Sequence, residues 1–273
     1  MPEGPEIKRA ADELSEAMTG KRINTIFFAF DALKKYEAKM QGAKIIQISS
    51  RGKAILTQLD NGLTIYSHNQ LYGRWQVLSN GAYPQSTRQL RLAIHTDSQM
   101  ALLYSASDIT VLDQQALEAH PYLIKLGPEL LDPKMTLDAI KTHFAEKCFQ
   151  QRGLLGLLQD QHFISGMGNY LCCEALHLSK IWPEKRLTDL TVMQRNTLAE
   201  NCLMLTRQSY KIAGVTNDIE QTKRLQEEGV TFEDSRFMVY RRAGEPCYDC
   251  GTTIVKGKFC GRMGYVCPDC QRQ

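Results

Sequence analysis

Four of the five cysteines within the last 27 residues constrain this chain more than any other feature. Cys247-Tyr248-Asp249-Cys250 and Cys267-Pro268-Asp269-Cys270 form two C-x-x-C pairs separated by 16 residues. Two thiolates at that short spacing grip one face of a tetrahedral ion, and a second pair completes a four-sulfur set. The pattern predicts one zinc held by Cys247, Cys250, Cys267 and Cys270. Four protein ligands leave no open position for water, so the predicted ion is structural. Four unlinked cysteines, or a redox pair, are the alternatives. A terminal segment of about 35 residues cannot bury a core of its own, so the metal is expected to supply most of its folding free energy. Residues 251–266 suit a β-hairpin with Gly257 or Gly261 near its tip. Cys260, inside that loop, is left out of the ligand set.

The remaining chain reads as globular. At 273 residues and 43% hydrophobic content it can bury a substantial core, as one large domain or two ordinary ones. No run of 18 apolar residues occurs, so no transmembrane helix is expected. The start, Met1-Pro2-Glu3-Gly4-Pro5-Glu6, has neither the basic region nor the apolar stretch of a signal peptide. The expected location is therefore the reducing cytoplasm, and the nine cysteines are not read as a disulfide framework. Net charge is only +3, but residues 241–273 carry six Lys or Arg against three acids, so the first 240 residues sum to zero. A basic tail on a neutral body fits a phosphate-contacting element, and equally a merely solvated tail.

Periodicity divides the chain. Ile7, Ala10, Ala11, Leu14 and Met18 recur at helical spacing, with Pro5 suited to the first turn and Gly20 to the stop. Residues 23–30, 43–48, 54–59 and 63–68 have strand character, and Asp60-Asn61-Gly62 predicts a hairpin between the last two. A second hairpin is expected around Thr96-Asp97-Ser98-Gln99. Many short antiparallel strands suggest a sandwich or barrel-like sheet. Leu126-Gly127-Pro128 through Asp132-Pro133 reads as a linker, and helical spacing returns from Thr136 to about Ala213. Residues 217–234 are charged and poor in core formers, which predicts a mobile loop. The fold class is thus α+β.

The amino terminus carries a chemical signal. With Met1 removed, Pro2 would be a terminal secondary amine, titrating near about pH 8 and able to attack a sugar C1′ to give an iminium directly. Glu3 beside it can act as an acid toward the sugar, and Glu6 lies on the same helical turn. A plain Pro/Glu helix start is the alternative reading. Further along stand Arg51-Gly52-Lys53, the stretch YSHNQLYG at residues 66–73, QDQHFISGMGNYL at 159–171, and Gln271 after the last cysteine.

Taken with PEGPE at residues 2–6, these pieces are similar, in order and across essentially the whole chain, to the formamidopyrimidine-DNA glycosylase/endonuclease VIII family. Asn69-Gln70-Leu71-Tyr72 favours the endonuclease VIII branch. The resemblance implies an amino-terminal β-sandwich with flanking helices over residues 1–125, carrying the catalytic residues. A helical domain with a helix–two-turn–helix would cover 126–235 and a zinc-finger β-hairpin 236–273, with DNA in the cleft between the two main parts. It implies Pro2 as Schiff-base nucleophile, Glu3 as general acid, Glu6 near the sugar, and Lys53 as a second proton donor or phosphate-orienting cation. Without the resemblance Lys53 is an ordinary strand-end lysine. Gln70, Leu71 and Tyr72 are implied as the wedge that fills the gap left by an everted nucleotide; by pattern alone Leu71 and Tyr72 are equally core residues. Asn169, after Gly166-Met167-Gly168, is implied as a phosphate donor and is also suited to a helix N-cap. Arg262 is implied at the phosphates beside the lesion. Lys125, implied as a DNA contact, stands where the endonuclease VIII branch carries an arginine, keeping the charge without the bidentate fork. The implied activity is excision of oxidised bases, pyrimidines in this branch, followed by β- and δ-elimination. The implied partner is damaged double-stranded DNA, met by a monomer with no membrane association and no small-molecule cofactor. The alternatives are a glycosylase for oxidised purines and a non-catalytic zinc-ribbon DNA-binding protein.

Overall fold

The computed structural model describes residues 2–272, which divide into two units, one ending at Lys125 and one starting at Leu126. The first begins with α1 (Gly4–Met18), whose Ile7, Ala11, Leu14 and Met18 are buried along one stripe. That stripe is the three- and four-residue spacing of the sequence turned into a packed face. Gly20, at φ +85°, ends the helix. β1 (Thr25–Phe28) and the single-turn α2 (Asp31–Lys34) and α3 (Glu37–Met40) follow. The other strands are β2 (Ile45–Arg51), β3 (Ala54–Leu59), β4 (Thr64–His68), β5 (Arg74–Ser79), β6 (Leu90–His95), β7 (Gln99–Tyr104) and β8 (Asp108–Leu112).

They form two antiparallel four-stranded sheets, ordered β1-β6-β7-β5 and β2-β3-β4-β8. Alternation places Ile26, Phe28, Leu92, Ile94 and Leu103 of one sheet in the same core as Ile45, Ile55, Leu59, Ile65 and Ile109 of the other, with α1 contributing to it. Both expected hairpins are present: β3 and β4 turn at Gly62, φ +81°, and β6 and β7 turn over Thr96–Ser98. The outer side of the second sheet buries Ala54, Leu56 and Tyr66. It is covered by Leu117 of α4 (Gln114–Glu118) and by Tyr122 and Leu123 beyond it.

The second unit is built from α5 (Leu137–Phe144), α6 (Leu154–Leu158), α7 (Asn169–Leu178) and α8 (Val192–Lys211) around one core. Residues 217–234, expected as a mobile loop, instead form α9 (Ile219–Glu227) and lead into α10 (Phe232–Ser235). Asp218 caps α9 by accepting from Gln221 N–H, and the buried Asn217 side chain donates to the Ser235 carbonyl at 3.0 Å. Buried hydrogen bonds, not an apolar stripe, hold this segment. β9 (Val255–Phe259) and β10 (Arg262–Val266) make the terminal hairpin. Its Ile254, Phe259 and Val266 lie in the same core as the helices. The tail therefore borrows part of the helical core, so a metal is not its sole source of folding energy. No described helix is long and apolar enough to cross a membrane, and no cysteine forms a disulfide among the described residues.

Candidate active site and nucleic-acid interface

Pro2 is half-buried immediately ahead of α1, and Glu3 is its N-cap, only 2% exposed. Glu3 N–H donates to the Glu6 carboxylate at 2.9 Å, so Glu6 closes the first turn from within. Pro5 sits in that turn, where a missing N–H is no loss. Met1, whose removal the sequence reading requires, lies outside the described residues. α1 packs on β2 and β3, the strands whose turn holds Lys53.

That turn is two residues long, Gly52-Lys53, with Gly52 at φ +58°. Lys53 N–H donates to the Tyr122 hydroxyl at 2.9 Å. Tyr122 meets the His68 ring edge-on, and His68 Nδ1 accepts Gln70 N–H at 3.0 Å. Lys53 and the Gln70 turn are thus tied to one aromatic cluster. Burial, reinforced by the Lys53 charge and opposed by Asp108, holds His68 below the usual histidine value, which keeps Nδ1 an acceptor. Neither His68 nor Tyr122 was singled out from sequence. His68 lay inside the quoted YSHNQLYG, but nothing local says that its ring supports its neighbours.

The turn after β4 is built to project side chains. Gln70 adopts φ +49°, and Gly73 N–H donates to the Asn69 carbonyl at 2.7 Å. A Cβ at position 73 would lie 2.5 Å from that oxygen, so only glycine closes it. Ser107 donates to the Gln70 Oε1 at 2.6 Å, and Arg88 to the Tyr72 carbonyl at 2.6 Å. Leu71 is 57% and Tyr72 69% exposed, which rules out the core reading of both. Lys125 is exposed at the end of a 3-10 turn, Leu123–Lys125.

In the second unit, α6 and α7 flank two turns over residues 159–168, with Gly166 at φ +86°. Gln161 braces them, donating to Met167 O and accepting from Gly166 N–H. Asn169 is the first residue of α7; the N-cap is Gly168, so the capping alternative for Asn169 falls. Its Oδ1 accepts from Gln159 Nε2 at 3.0 Å. Arg262 is exposed and opens β10, directly after a Cys260-Gly261 turn in which both residues have positive φ. The tip is therefore Gly261. Gly257 lies within β9, facing Gly264. Cys260 seats against position 153, where a Cβ would come within 2.1 Å of its sulfur; Gly153 makes the room. Tyr265 N–H of β10 donates to Cys173 of α7 at 3.4 Å, joining the strand of Arg262 to the helix of Asn169.

The four cysteines converge. Cys250 Sγ lies 3.4 Å from Cys267 and 3.5 Å from Cys270, and Cys247 lies 3.9 Å from Cys270. A tetrahedral ion with sulfur bonds of about 2.3 Å sets its sulfurs about 3.8 Å apart, so the cluster fits one metal ion. The buried Gln271 supports it, accepting Cys267 N–H at 3.0 Å and donating to the Ile181 carbonyl at 2.9 Å. Arg242 braces the approach, with its guanidinium on the Met238 and Pro246 carbonyls and 3.5 Å from the Tyr248 ring centre.

The residue that sequence reasoning missed most clearly is Glu174, 0% exposed in the middle of α7. Its carboxyl accepts from the N–H groups of Met238, Val239 and Tyr240 at 2.7–2.9 Å and from the Thr216 hydroxyl at 2.7 Å. Burial pushes its pKa up, and those four donors oppose the shift. It ties α7 to the segment entering the cysteine hairpin. Its partners are more than 40 residues away in sequence, so no local signal marks it.

Residues 1–109 match the family described as the formamidopyrimidine-DNA glycosylase N-terminal domain. Endonuclease 8 of Salmonella arizonae is 43% identical over 272 residues, 100% of this chain and 100% of that protein. Endonuclease 8 of Escherichia coli is 42% identical over 271 residues, 99% of this chain and 100% of that protein. Lactococcus lactis formamidopyrimidine-DNA glycosylase, bound non-covalently to DNA containing an AP site, superposes with a TM-score of 0.80. The two are 21% identical, over 99% of this chain and 100% of that one. The same enzyme in complex with DNA containing an oxidised pyrimidine gives 0.81 at 22% identity, over 100% of both chains. At such identity these structures establish a shared fold.

Proposed function

This chain belongs to the family of the formamidopyrimidine-DNA glycosylases and endonucleases 8, and on that premise we propose that it excises oxidised bases, pyrimidines foremost, from duplex DNA and then cuts the strand. The observation that carries the reading is Pro2 and buried Glu3 at the head of α1, in a chain that matches Endonuclease 8 end to end. With Met1 removed, Pro2 is a terminal secondary amine at the head of α1, and its deprotonated form offers a nitrogen pair. That pair attacks C1′, the glycosidic bond breaks, and the base departs with a proton. Glu3 supplies a proton to the opening sugar ring. Loss of a C2′ proton from the resulting iminium expels the 3′ phosphate, and a second elimination expels the 5′ phosphate.

The other residues hold the DNA. Exposed Leu71 and Tyr72, with Gln70, fill the space vacated by the everted nucleotide. Asn169, Lys53, Lys125 and Arg262 meet phosphates, and Arg262 stabilises the leaving phosphate through its two-pronged guanidinium. A zinc bound by Cys247, Cys250, Cys267 and Cys270 would fix the hairpin that presents Arg262, with no coordination position left for chemistry.

Borohydride tests the reading. Hydride reduces the iminium to a stable amine, so the protein should be trapped on duplexes carrying oxidised pyrimidines more readily than on those carrying oxidised purines. Mass spectrometry should place the DNA remnant on Pro2 of a chain lacking Met1, and retention of Met1 should abolish trapping. An adduct on Lys53, or no adduct on any lesion, would refute it.

A further inference from the structure

The orientation of one side-chain amide is set by residues that no part of the proposed reaction has yet used. Asn169 Oδ1 accepts from Gln159 Nε2 at 3.0 Å and lies 3.6 Å from the Cys173 thiol, one helical turn further along α7. Two donors converge on the oxygen, whereas Asn169 Nδ2 has no hydrogen-bond partner among the described residues. The backbone of Gln159 is fixed in turn: it is the C-cap of α6, and its carbonyl accepts from Gln161 Nε2 at 3.1 Å.

We propose that Gln159, with Cys173 as the second donor, is a positioning residue that locks the Asn169 carboxamide oxygen-inward, leaving its N–H groups to face a DNA phosphate. The inference rests on the reading of Asn169 as a phosphate contact. An amide has two faces of opposite polarity and nearly equal shape. Turned the other way, it would present a partial negative oxygen to an anionic one. An unrestrained side chain would lose binding to that wrong state and to the entropy of being ordered on contact. A neutral amide lock selects the donor face without adding charge, so it strengthens the grip without altering the number of counterions released.

The test is a double-mutant cycle in the full-length, metal-loaded protein, reading Kd for a short undamaged duplex across a salt series, with melting temperature measured alongside. Gln159→Met keeps the volume and removes the donor. It should weaken binding about 3- to 10-fold, the worth of one ordinary hydrogen bond, at an unchanged salt slope. In an Asn169→Ala background it should cost nothing further. Gln159→Glu replaces the donor by an acceptor of the same shape and should draw the amide round. It should weaken binding more than Gln159→Met does when Asn169 is present, and only by the added charge when it is absent. Equal losses from Gln159→Met in both backgrounds would overturn the proposal, because Gln159 would then act without Asn169. A lowered melting temperature at unchanged Kd would overturn it too, leaving only a brace for the turn. If Asn169→Ala alone leaves Kd unchanged, the phosphate reading of Asn169 itself fails. The singles and the double therefore separate the two failures.

Discussion

Replacing Leu71 by alanine separates the wedge from the fold. Leu71 is 57% exposed, so less than half of its side chain leaves water on folding. Full burial of a leucine is worth about 1.5–3 kcal/mol, and truncation here should cost the folded protein no more than about 1 kcal/mol, or about 2–4 °C in melting temperature. On the DNA side the bookkeeping differs. Everting a nucleotide costs a few kcal/mol of stacking and pairing, offset by side chains that enter the gap. Covering the 57% of Leu71 that is still exposed with neighbouring bases would contribute about 0.9–1.7 kcal/mol, so its loss should slow single-turnover base excision about 4- to 18-fold. A pre-formed abasic site has no base to unstack, so strand cleavage there should fall much less. The assay is single-turnover kinetics on matched duplexes, one carrying an oxidised pyrimidine and one an abasic site, beside a thermal melt. Equal losses on both substrates, or a fall in melting temperature well beyond 4 °C, would refute the wedge and return Leu71 to a folding role.

Three further outcomes follow from other parts of the chain. Metal analysis should find about one zinc per chain. Cys250→Ser should lose it and weaken DNA binding while leaving the second unit partly ordered, because Ile254, Phe259 and Val266 stay in the helical core; a metal-free protein of full DNA affinity would contradict this. Glu174→Gln puts an amide where Oε1 or Oε2 accepted two donors, stranding at least one buried N–H among Met238, Val239 and Tyr240. It should cost about 1–3 kcal/mol, and a melt coincident with wild type would show that the carboxylate is dispensable. His68 has a lowered folded-state pKa, so between the unfolded value of about 6.5 and that lower value the unfolded chain binds the extra proton. His68 therefore adds a loss of stability as pH falls through this window. His68→Gln should flatten that part of a pH–melting profile, and parallel profiles for the two proteins would exclude His68 as the source.

How much was legible in advance follows the range of the physics involved. The stripe of Ile7, Ala11, Leu14 and Met18, the Asn61-Gly62 turn and the two C-x-x-C pairs declare themselves because each depends on backbone preference or ligand spacing over a few residues. The sequence alone could therefore determine α1, both hairpins and a four-sulfur cluster. Sequence resemblance also brought out the family. Only the tertiary structure decided what depends on distant partners. Residues 217–234 look loop-like because they lack an apolar stripe, yet they form helices because Asn217, Thr222 and Ser235 exchange buried hydrogen bonds. The tail looked too short for a core because the residues completing that core lie on α6 and α7. Leu71 and Tyr72 were equally core or surface until the Asn69–Gly73 turn placed them outside. Glu174, His68 and Gln159 gained their meaning the same way. A hydrogen bond is specified by where its partner ends up, and a chain folds that partner into place from anywhere along its length.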